Sequence, residues 1–122
     1  MHVSELADSQ EVYALEKRLQ ETADQLAALV PDMGKAKQVI EFISDQRKRA
    51  LAKSMSQWLD SGESAAAAEA KGRSSFVYGE ELAELATQLK AAETTKARWE
   101  ATKCQWESCR SLLAMQREMS SM

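Results

Sequence analysis

Four cations recur at every seventh residue near the C-terminus: Lys96, Lys103, Arg110 and Arg117. On an α-helix that interval stacks them on one face about 10.5 Å apart. Trp99 and Trp106 keep the same interval beside them. Cations interleaved with stacking aromatics are the chemistry with which proteins track a single strand of nucleic acid. A second cluster, Arg47, Lys48, Arg49 and Lys53, could neutralise phosphate. Each feature also has a reading that needs no ligand. Glu93, Glu100 and Glu107 precede Lys96, Lys103 and Arg110 by three residues, the spacing of weak helix-surface ion pairs. Long basic stems also cover apolar surface with their methylenes. Packing and surface pairing is the favoured reading of the ladder. For the second cluster, Glu16, Glu21 and Asp24 supply opposite charge if the first two helices fold back on each other, and that pairing is favoured over phosphate.

Covalent and metal chemistry find little to work with. The single His is His2, near the chain start. A thiol–imidazole pair would have to bring it to Cys104 or Cys109 from the far end of the sequence. The two cysteines are five residues apart, about 500° of helical turn, so they point to different sides and are expected as free thiols. That usage fits a cytoplasmic setting. No metal-ligand spacing and no glycine-rich phosphate loop is present. No catalytic residue, metal or cofactor is expected. No apolar run is long enough to span a membrane, and the acidic opening MHVSELADSQ does not read as a signal peptide. The net charge of −3 gives the whole molecule no bias toward nucleic acid.

Helices must position these residues. The chain of 122 residues has 4 Gly and 1 Pro, so long uninterrupted helix is open to it. Leu, Ile, Val and Phe together number 21, too few for a round core but enough for narrow stripes on long helices. The expected fold is all-α, an elongated helical hairpin or three-helix antiparallel bundle with a coiled-coil-like C-terminal helix, forming one domain over residues 1–122. Helix one is expected over about 4–30, with Ser9 as a candidate N-cap. Its Val12, Leu15, Leu19, Thr22, Leu26 and Leu29 alternate spacings of three and four, a heptad seam. Pro31 is read as a turn, with a kinked continuous helix as the alternative. Helix two is expected over about 33–60, stopped by Ser61-Gly62. An Ala-rich connector over 63–79 follows, in which Phe76, Val77 and Tyr78 should be anchored. The last helix is expected over about 80–119, with Leu85, Ala92, Trp99, Trp106 and Leu113 in its apolar column. Leu82 and Leu89, then the basic ladder, occupy the next column, four residues on. Trp58, Trp99, Trp106 and Leu113 are the expected interface anchors, because Trp is enriched where partners bind most strongly.

Residues 62–119 carry a further pattern. Gly62, Ser64, Ala65, Ala68, Glu69 and Ala70 spell a G-x-S-A-x-x-A-E-A segment. Trp99-Glu100 and Arg110, Ser111, Leu112, Leu113, Arg117 and Glu118 follow on a long helix. This half of the chain resembles small helical proteins of tailed bacteriophages and prophages, encoded near recombination and replication genes. The resemblance implies a phage-derived protein in a bacterial cytoplasm and carries no activity with it. Three functions follow from the residues and the resemblance together. The first is a non-enzymatic, self-associating adaptor that binds a partner protein, because thin stripes on a small chain are usually completed by association. The second is a DNA-binding accessory factor in recombination or replication. The third is an inhibitor that docks on a host protein.

Overall fold

The computed structural model describes the backbone of residues 3–121 and the side chains of residues 9–121. His2 lies outside the described residues. Among these residues the protein is all-α, with α1 at Val3–Asp60, α2 at Ala65–Arg73 and α3 at Phe76–Ser121. By packing the chain divides into two compact units, Met1–Met33 with Thr95–Met122, and Gly34–Thr94.

The expected turn at Pro31 does not form. Helices one and two are a single helix of 58 residues with Pro31 inside it, and Ser9 lies within that helix and does not cap its start. An interior proline removes one backbone hydrogen bond and crowds the preceding turn, at a cost of about 3 kcal/mol. The apolar stripe explains why the helix survives. After Leu26 and Leu29 come Met33, Ala36, Ile40 and Ile43, in the same alternation of four and three and all at least half-buried. Burial of the stripe within each unit, on both sides of Pro31, offsets that cost.

α1 ends as expected at Gly62, through a Schellman motif. The Glu63 N–H donates to the Trp58 carbonyl (3.1 Å) and the Gly62 N–H to that of Leu59 (3.0 Å). Gly62 has φ +89°. The connector is mostly helix. Ser64 caps α2 by accepting a hydrogen bond from the Ala67 N–H (3.2 Å). Ala68 is wholly buried, and the Ser54 hydroxyl donates to the Gly72 carbonyl (2.9 Å). A methyl group at Gly72 would meet Met55 Cγ at 3.0 Å, so glycine sets how closely α2 approaches α1. Of the three residues expected to be anchored, only Tyr78 is buried. Phe76 and Val77 are 78% and 59% exposed.

The core is thin, as the composition requires. In one unit it consists of Thr22, Met33, Thr102, Cys109 and Leu113, and in the other of Ala36, Ile43, Ala50, Ala68, Tyr78 and Ala92. Small and polar side chains dominate both. The two buried threonines stay satisfied by donating to the carbonyls four residues back, Arg18 and Arg98 (2.9 Å each).

Candidate partner-binding surfaces

On α3 the column Ala92, Trp99, Trp106 and Leu113 faces inward as expected. Ala92 and Leu113 are buried, and the two tryptophans are half-buried. The second column differs. Leu82 and Leu89, four residues after Tyr78 and Leu85, are half-buried. From Thr95 onward the covered residues instead lie three after the first column: Thr95, Thr102, Cys109 and Gln116. The cations four residues after it are therefore outside the seam, and Lys96, Lys103, Arg110 and Arg117 are all exposed. They occupy the position flanking the seam where heptads carry their charges.

The ladder is not held by the glutamates of its own helix. Among the described residues no ion pair joins Glu93, Glu100 or Glu107 to the cation three residues on. Arg117 reaches across to Glu16 on α1 (3.4 Å), and Gln116 beside it donates to Glu11 (3.4 Å). Glu16 occupies the same flanking position of the α1 heptad, as an antiparallel pair requires. One heptad inward along both helices, Arg110 comes level with Ala23. One heptad further, Lys103 comes level with Val30. Neither is acidic, and Val30 is exposed. Arg110 lies over the Trp106 ring, 4.9 Å from its centroid. The outer rung is thus paired with α1, while the inner rungs are exposed cations, Arg110 among them lying on an aromatic ring.

The second cluster is divided by helical geometry, since consecutive residues point about 100° apart. Arg49 and Lys53 line a groove of about 360 Å³ with Glu81 and Glu84, and Lys53 pairs with Glu81 (3.4 Å). Arg47 and Lys48 line another, of about 470 Å³, with Leu51, Arg73, Tyr78 and Leu82. The expected pairing of this cluster with Glu16, Glu21 and Asp24 does not form, because one continuous helix cannot fold back on itself. Arg73 joins the cluster only in three dimensions. Its guanidinium donates to Glu69 through Nε (3.0 Å) and Nη2 (2.8 Å). That hydrogen bond, and then the carboxylate charge, hold it above its ordinary pKa.

Trp58 is half-buried at the end of α1. Lys71 on α2 lies over its ring, 5.0 Å from the centroid, and also pairs with Glu63. Trp58 Nε1 and Glu63 Oε2 are both buried without a hydrogen-bond partner. Glu16, an expected partner of the second cluster, instead meets Arg117. Glu81, Arg73 and Lys71 were not marked by any sequence spacing, and each becomes visible only once segments apart in sequence are brought together.

Both cysteines are free thiols, Cys104 exposed and Cys109 buried. Among the described residues no group of three or more His, Cys, Asp and Glu could hold a metal ion, and no helix is long and apolar enough to cross a membrane. Comparison with protein families, with characterised proteins and with solved structures finds no match to this chain.

Proposed function

We propose that this is a non-enzymatic helical interaction protein that self-associates and acts in the cytoplasm by binding a partner protein through the inner rungs of its basic ladder. One observation carries this reading. Lys103 and Arg110 are exposed, Arg110 lies over the Trp106 ring, and the heptad register sets Ala23 and the exposed Val30, not acids, level with them on α1. Cations bordering apolar surface suit an acidic amphipathic helix, whose apolar stripe and carboxylates both find contacts. Glu100 and Glu107 on the same helix favour a protein over a phosphate backbone, because they repel a continuous line of negative charge. The free thiols support a reducing compartment. The resemblance to phage-encoded helical proteins supports a bacterial host or phage protein as the partner. The test is capture from a bacterial lysate by the wild type and by the Lys103→Glu, Arg110→Glu variant. A protein retained by the first and lost by the second, with helix content unchanged, is the expected result. Equal capture by both would overturn the assignment to the ladder.

Nucleic acid is the second reading, favoured by the groove where Arg47, Lys48 and Arg73 converge with no carboxylate in its lining. If phosphates bind there, affinity for a short oligonucleotide should fall with salt, with a log–log slope of about −0.7 per contact for single strands. Reversal of Arg47 and Lys48 to Glu should then abolish it. Weak binding with no effect of that reversal is the outcome expected of a protein-binding adaptor.

A further inference from the structure

The seam and the ladder occupy two faces of α3, and a third is unpartnered. Ala97, Ala101, Cys104, Ser108, Leu112, Met115 and Met119 form one column, all exposed and none charged. Elsewhere around this part of α3, charged residues recur at nearly every turn: Arg98, Glu100, Lys103, Glu107, Arg110, Arg117 and Glu118. A column of six turns without one is a surface suited to burial.

Its spacing and its side-chain sizes say what fits it. The intervals run four, three, four, four, three, four, the same in both directions from Ser108. Sizes run the opposite way on the two sides. Small residues fill the N-terminal half, and Leu112, Met115 and Met119 fill the C-terminal half. We infer that this face binds a second copy of the same chain, antiparallel, across a two-fold axis at Ser108. The inference rests on the self-association proposed above and names the surface that performs it.

Under that axis every large side chain meets a small one. Met119 faces Ala97, Met115 faces Ala101 and Leu112 faces Cys104, while Ser108 meets its own copy. Leu112 of the second copy would enter the shallow groove lined by Cys104, Glu107, Ser108, Ser111 and Leu112. A two-fold interface uses one patch twice, so it demands self-complementarity, and an unrelated partner would impose no such palindrome. Small residues let the backbones approach, and flexible methionines fill the remaining space. A parallel pair would set large against large and leave the small ends apart.

The experiment uses the full chain and mild oxidation, read on a non-reducing gel. Ser108→Cys in a Cys104→Ser background should give a covalent dimer quickly. The wild type should not, because its two Cys104 residues would stand eight positions apart along the axis, about 12 Å, beyond disulfide reach. Cys109 is buried and common to both proteins, so it serves as the internal control. Sedimentation equilibrium completes the test. Met115→Glu should weaken the dimer at least ~10-fold with far-UV circular dichroism unchanged, since Met115 is already exposed. Wild-type dimer should persist at about 1 M salt, where screening removes charge-driven association. Rapid linkage through Cys104 would mean a parallel pair and overturn the inference. A stable dimer with no Ser108→Cys linkage, or one unaffected by Met115→Glu, would move the interface elsewhere and leave self-association standing. A monomer at tens of micromolar would remove both.

Discussion

Arg117 Nη2 stands 3.4 Å from Glu16 Oε1, a pair that joins α3 to α1 across 101 residues of sequence. It sets the register from which the inner rungs follow, but it adds little stability. Both side chains are at least half in water, so the pair is worth about 0.2–1 kcal/mol, less in salt. Arg117→Ala should therefore shift urea unfolding by less than ~1 kcal/mol. Leu113, four residues earlier and 4% exposed, should cost about 2–4 kcal/mol on replacement by Ala. Equal losses from the two substitutions would contradict this division between register and burial.

Trp99 and Trp106 lie on the seam but are only half-enclosed. Each Ala variant should lose about 2–3 kcal/mol, less than the ~3–5 of a fully buried large aromatic. Thermal melts of the two variants measure it. Unchanged melting would place both rings on an open surface and move them from the seam to a binding role.

Pro31 offers the sharpest check on the fold. Inside a helix its removal restores a donor to the Ala27 carbonyl and relieves a steric clash. Pro31→Ala should then stabilise the protein, by as much as ~3 kcal/mol. A chain that turned at residue 31 would gain nothing and would lose the restriction that proline imposes on its unfolded state. Chemical denaturation distinguishes a gain from a loss directly.

Gly72 sets the spacing of α2 from α1, with Met55 Cγ at 3.0 Å and the Met55 backbone nitrogen at 3.4 Å from where a Cβ would sit. Gly72→Ala combines a helix-propensity gain of about 1 kcal/mol with crowding of about the same size, so its net effect should be small. Gly72→Leu has no room and should release α2. Amide exchange across Ala65–Arg73 would rise, while exchange in the unit that contains Leu113 stays unchanged. Protection of α2 in that variant would show that the contact is looser than its geometry implies.

Much of this arrangement could be read from the sequence, and the failures have physical causes. The Val12-to-Leu29 seam is legible because aliphatic residues mark both of its columns. The same alternation continues through Met33, Ala36, Ile40 and Ile43, yet Pro31 taken locally reads as a breaker. Tertiary burial outweighed the local preference. The stop at Gly62 and the inward face of Leu113 followed directly from residue type. On α3 the tryptophan column was correct and its neighbour was not. An apolar column repeating every seven residues admits a second column three or four positions away. Thr95, Thr102, Cys109 and Gln116 are too polar to announce which. The sequence therefore places the basic ladder in the column after Leu82 and Leu89, whereas in the structure it only flanks the seam. The Arg47–Lys48–Arg73 groove was illegible, because nothing in the spacing of residues 47 and 73 links them.

Gly62 has a further consequence, one of handedness. It is the residue with positive φ among those described, and no atom crowds the place where a side chain would project. The obstacle to alanine there is not space but chirality, since an L-residue in that conformation costs about 1–2 kcal/mol. A mirror-image residue carries no such penalty. A chain assembled by chemical ligation with D-alanine at position 62 should melt no lower than the natural protein, while its L-alanine counterpart should lose about 1–2 kcal/mol by denaturant titration. The end of a 58-residue helix thus rests on a site that is indifferent to size and selective for stereochemistry.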